Sequence, residues 1–78
     1  MTRLELVNEI NDNWNCRKIT PFLYKIIYKQ DGKVKLGCVH VGLNNVTLVE
    51  VYVSAIDGAE LIDFTYSFEE FSKFLKES

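Results

Sequence analysis

The sequence predicts an α+β domain, a four-stranded antiparallel meander flanked by an N-terminal and a C-terminal helix in the order α-β-β-β-β-α. Three observations predict it. Apolar residues recur at helical spacing near the start of the chain and again after Ser67. Between these stretches, runs rich in aromatic and β-branched residues are separated by short turn signals, Asp31-Gly32 foremost. Finally, 78 residues hold one core and no second one, so residues 1–78 are read as a single domain.

The elements follow in order. Thr2 and Glu5 form a capping box, and Leu4, Val7, Ile10 and Trp14 recur on one helical stripe that Leu6 widens. Asn11, Asp12, Asn13 and Asn15 are poor helix formers and end the helix near residue 13. Pro21 opens the next element, and Phe22–Lys29 and Lys33–Val41 read as a hairpin across Asp31-Gly32. A two-residue turn there pairs Lys29 with Val34, Ile27 with Leu36, Lys25 with Cys38 and Leu23 with His40. A second turn over residues 42–45 leads to Val46–Val53, and a third, around Asp57-Gly58, to a short strand near Glu60–Tyr66. Ser67 and Glu70 form another capping box, and Phe68, Phe71, Phe74 and Leu75 make the closing helix amphipathic.

Charge is unevenly distributed although the net value is only −2. Residues 1–40 carry seven Lys or Arg against four acids, and residues 41–78 carry seven acids against two lysines. Such a chain can present a basic and an acidic surface. No apolar run approaches the roughly 20 residues that span a bilayer, and no secretory leader opens the chain. The expectation is a cytoplasmic protein whose two cysteines, Cys16 and Cys38, are reduced.

Candidate chemistry is sparse. Cys38 and the lone histidine, His40, lie two apart on a strand, so their side chains leave one face in parallel rather than converging to the roughly 3 Å that a nucleophile–base pair needs. With Cys16 placed in a loop 22 residues upstream, no zinc spacing is present. The carboxylates Asp57, Glu60, Asp63, Glu69 and Glu70 are explained by a turn, strand alternation and capping, and Gly37, Gly42 and Gly58 form no phosphate loop. No catalytic residue, metal or cofactor is therefore expected.

The two sheet faces differ. One carries Phe22, Tyr24, Ile26 and Tyr28 beside Lys33, Lys35, Val39 and Val41, the aromatic–lysine mixture on which single-stranded nucleic acid can stack. Two amphipathic helices must be buried somewhere, however, and these aromatics are the largest payload available to cover. The other face carries Leu23, Ile27, Val34 and Leu36, and the third expected strand is apolar on both sides. Two short helices rarely cover both faces of a sheet, so one face is expected to remain partly apolar and to serve as a partner or self-association surface.

The opening TRLELVNEINDNW, the hairpin KIIYKQDGKVKLG and the closing YSFEEFSKFLKES give a whole-chain layout that resembles small phage-encoded anti-CRISPR and other anti-defence proteins. The resemblance is one of length, charge and layout without a shared motif, so it transfers no functional residue. It implies inhibition by binding a Cas protein or complex. On this reading the chain is a non-enzymatic inhibitor of a host or defence complex. It acts through protein–protein contacts, with Glu50, Asp57, Glu60, Asp63, Glu69 and Glu70 as an acidic patch facing basic grooves of the partner. The alternatives are a single-stranded nucleic-acid module using Tyr24, Tyr28, Lys33 and Lys35, and a structural homodimer built from sheet faces or edges.

Overall fold

The structure is a computed structural model that describes the backbone of residues 1–54 and 58–77 and the side chains of residues 1–50 and 62–77. Its elements are α1 (Arg3–Asn11), β1 (Cys16–Thr20), β2 (Leu23–Gln30), β3 (Lys33–Val41), β4 (Val46–Ser54), β5 (Gly58–Tyr66) and α2 (Phe68–Glu77). The strands form one antiparallel sheet in chain order, β1-β2-β3-β4-β5. The α+β layout is as expected, but the meander has five strands rather than four.

The additional strand is β1. Its segment, CRKIT, has two adjacent basic residues and no apolar alternation, and four of its five side chains are exposed. An edge strand of this kind is held by backbone pairing to β2, from Cys16↔Ile26 to Lys18↔Tyr24, and contributes little buried surface of its own. The register shifts between Lys18 and Thr20, a bulge at Ile19 before the turn at Pro21-Phe22. Pro21 therefore sits in a hairpin turn rather than opening a strand.

The central hairpin forms in the expected register, Lys29↔Val34, Ile27↔Leu36, Lys25↔Cys38 and Leu23↔His40. Asp31 and Gly32 have φ of 53° and 74°, the left-handed pair that a two-residue turn between twisted strands requires. Both capping boxes are present: Thr2 Oγ1 accepts from Glu5 N while Thr2 N donates to Glu5, and Ser67 and Glu70 repeat the exchange.

Helix α1 stops at Asn11, with Asp12 as its C-cap. Leu6, Val7 and Ile10 are buried, whereas Leu4 is exposed and Trp14, beyond the helix end, is fully exposed. The expected stripe is corrected on this point, because the chain turns away one turn before Trp14 could join it. In α2, Phe71 and Leu75 are buried, with Phe68 and Phe74 packed against the same core.

Both helices lie on one face of the sheet. The core joins Leu6, Ile10 and Phe71 to Tyr24, Ile26, Val39, Val41, Val46 and Leu48, which alternate onto that face from β2, β3 and β4. Ring contacts fasten α2 to the sheet, with centroids 5.4 Å apart for Tyr28–Phe74 and 5.6 Å for Tyr66–Phe71. Among the described residues no helix is long and apolar enough to cross a membrane.

Candidate functional site

A two-layer domain leaves the second face of its sheet uncovered, and here that face is apolar along the β2–β3 hairpin. Toward the Asp31-Gly32 turn Ile27, Leu36 and Val34 are 52%, 57% and 67% exposed, Cys38 and Val49 are half-buried further along, and Leu23 is half-buried at the far end of β2. Strand alternation makes this placement unavoidable once the helices have taken the opposite face, because Tyr24, Ile26 and Tyr28 interleave with Leu23, Lys25, Ile27 and Lys29.

The charged residues of the open face are ordered. Arg17, Lys25, Cys38, Val49 and Asp63 form one continuous row across all five strands. The row begins with two cations on β1 and β2, crosses a small apolar centre and ends with a carboxylate on β5. Lys29 adds a further exposed cation on the β2 side. The helix layer is different: α1 with its C-cap and α2 carry Glu5, Glu9, Asp12, Glu69, Glu70 and Glu77 against Arg3, Lys73 and Lys76. The helices themselves are thus acidic, although Lys18, Lys33 and Lys35 alternate onto the same side of the sheet, and the open face is mixed, with Arg17, Lys25 and Lys29 against Asp63.

The expected acidic patch does not assemble as one surface. Glu50 is only 5% exposed and is engaged inside the helix-covered face. It accepts from the Tyr28 hydroxyl at 2.8 Å and lies 3.1 Å from Lys35 Nζ, which also donates to Gln30 Oε1 at 3.1 Å. The Tyr28 hydrogen bond, reinforced by Lys35, holds the Glu50 carboxyl below its usual range, against the opposing effect of burial. Burial and the neighbouring carboxylate push the Tyr28 hydroxyl upward. Asp63 is exposed on the open face, whereas Glu69 and Glu70 are exposed on α2, across the sheet from it. Glu69 binds the Met1 ammonium at 2.9 Å and Glu70 caps its own helix. Asp57 and the side chain of Glu60 lie outside the described residues.

The alternative nucleic-acid face does not form, and the helices cover its aromatics instead. Tyr24 and Tyr28 are buried beneath the helices, and Lys35 is committed to Glu50 and Gln30, so no stacking platform exists there; Lys33 alone of that set is exposed. The reason is packing: two helices needed a large apolar surface, and the tyrosine face offered the bulkier one.

Cys38 and His40 share the open face, as their spacing predicts, while Cys16 alternates onto the helix-covered face with Ile26. The two cysteines are thus on opposite sides of the sheet. Burial pushes the Cys16 thiol up to about 11, the direction opposite to that of a reactive thiolate. Among the described residues no three His, Cys, Asp or Glu side chains group as a metal site. No family model, characterised protein or solved structure matches the chain.

Arg17 is the residue of the open face that sequence reasoning misses, because it belongs to the edge strand β1, whose side chains carry no strand pattern. A signal was present in retrospect: residues 16–20 and 23–26 flank Pro21-Phe22 at hairpin spacing.

Proposed function

We propose that the chain is a non-enzymatic, cytoplasmic binding protein that works by protein–protein contact, and that its target is a host or defence complex of the Cas type. The observation that carries the binding reading is the open sheet face, where Ile27, Val34 and Leu36 lie exposed together on the β2–β3 hairpin. Apolar area of this kind on a small domain is costly to leave in water and characterises an interface. The whole-chain layout supplies the target class. The acidic helix layer supplies long-range attraction to basic, nucleic-acid-handling surfaces, which raises association rate and partner choice more than affinity. In this reading the helix layer replaces the scattered carboxylates Glu50 and Asp63 as the steering surface.

The test is capture of Cas effectors by the tagged chain from a nuclease-treated lysate, with effector cleavage activity read in parallel. An effector retained and inhibited by the native chain, and released by Glu69→Lys with Glu70→Lys at moderate salt, supports the reading. Recovery of nucleic acid alone, lost on nuclease treatment, overturns it.

A further inference from the structure

We infer that the open sheet face is closed by a second copy of this chain, packed face to face about a two-fold axis that runs parallel to β3. The inference rests on the reading of that face as a protein interface, names its occupant, and leaves the helix layer as the surface that meets the target.

Symmetry and charge select the arrangement. A two-fold axis in the plane of the sheet is needed to bring two identical faces together, since an axis normal to the sheet leaves both uncovered. If that axis ran across the strands, β1 would lie over β1 of the second copy and Arg17 and Lys25 would meet their own likenesses. If it runs along β3, the central strand, then β1 lies over β5 of the second copy. The row Arg17–Lys25–Cys38–Val49–Asp63 then meets itself reversed at the same level along the strands, so Arg17 faces Asp63 of the second copy, twice per dimer, and Lys25 lies over Val49 one strand inward. Only this operator pairs unlike charges.

Shape agrees. Val34 and Leu36 lie on the central strand, so each packs against β3 of the second copy at the roughly 10 Å spacing of stacked sheets, with Ile27 beside them. The product is a four-layer assembly, helices–sheet–sheet–helices, with an acidic helix layer on each outer side. It presents to a target complex two copies of the steering surface proposed above.

Sedimentation equilibrium of the purified chain, with circular dichroism as the control for folding, tests this. The native chain is expected at twice 9.1 kDa. Leu36→Lys, a substitution at an exposed site, is expected at the monomer mass with an unchanged spectrum. Arg17→Asp and Asp63→Arg should each weaken dimerisation roughly tenfold or more, because each sets like charges opposite one another. An equimolar mixture of those two variants should restore the dimer, since in the mixed pair both contacts are again of unlike charge. A monomeric native chain, a dimer indifferent to Leu36→Lys, or a mixture that stays dissociated would each overturn the inference. A monomer that still retains and inhibits an effector removes the homodimer and leaves the proposed function standing; a dimer that retains no effector does the reverse.

Discussion

The hydroxyl of Tyr28 on β2 reaches the carboxylate of Glu50 on β4, 2.8 Å away, by crossing the whole width of β3. The crossing uses the space above Gly37. A Cβ at that position would stand 3.4 Å from Tyr28 Cε1, 2.9 Å from Leu48 Cδ1 and 3.0 Å from the Val49 carbonyl oxygen. Three strands are therefore tied by one buried polar link that depends on a missing side chain.

Removing the hydroxyl tests the link. Tyr28→Phe keeps the ring and its contact with Phe74 but leaves the Glu50 carboxylate with Lys35 alone. The expected cost is about 1–3 kcal/mol, read as a lower urea midpoint with an unchanged slope.

Gly37→Ala should be destabilising by about 1–3 kcal/mol, since the new methyl meets a backbone carbonyl that cannot move aside without disturbing the β3–β4 ladder. Thermal unfolding followed by circular dichroism checks it. A neutral result would mean that Leu48 and the ladder relax freely.

The pH dependence follows from Glu50. Its folded-state pKa lies below the ordinary carboxyl value, so the folded state favours the charged form. The associated stability is present above that ordinary value, near pH 4.5, and is lost as pH falls through the lower, folded-state one. Urea titrations between neutral pH and pH 3 should show native stability declining on the acid side. Glu50→Gln should remove part of that slope, the surface carboxylates Glu69 and Glu70, held low by the Met1 ammonium and the Ser67 cap, accounting for some of the remainder.

Two residues of the expected N-terminal stripe should behave differently. Ile10→Ala should cost about 2–5 kcal/mol, because Ile10 is fully enclosed. Trp14→Ala should change stability by no more than about 0.5 kcal/mol, because Trp14 touches no core. Tryptophan emission in the native chain should accordingly be that of a solvated indole.

Local rules made much of this architecture legible. Thr2 with Glu5 and Ser67 with Glu70 announce both helices, and Asp31-Gly32 sets the register of the central hairpin residue by residue, because caps and tight turns depend on atoms within a few positions of each other. The first strand escaped notice because an exposed edge is held by backbone pairing, and neither Arg17 nor Lys18 records that pairing in its side chain. The burial of Glu50, which the acidic-patch reading placed at the surface, is illegible for a related reason: its partners Tyr28 and Lys35 come from two other strands.

The sequence by itself determined the caps, the turn and the alternation that gives β2 a tyrosine side and an opposite side with Leu23 and Ile27. Which side the helices cover was decided only by tertiary structure. That choice is a competition between whole surfaces: Phe71 and the helix apolar stripes gain more by enclosing Tyr24, Ile26 and Tyr28 than by enclosing Leu23, Ile27 and Leu36. Its outcome buried the tyrosines, drew Glu50 inside and left the row from Arg17 to Asp63 facing outward. No window along the chain contains that decision, because it depends on residues brought together from both ends.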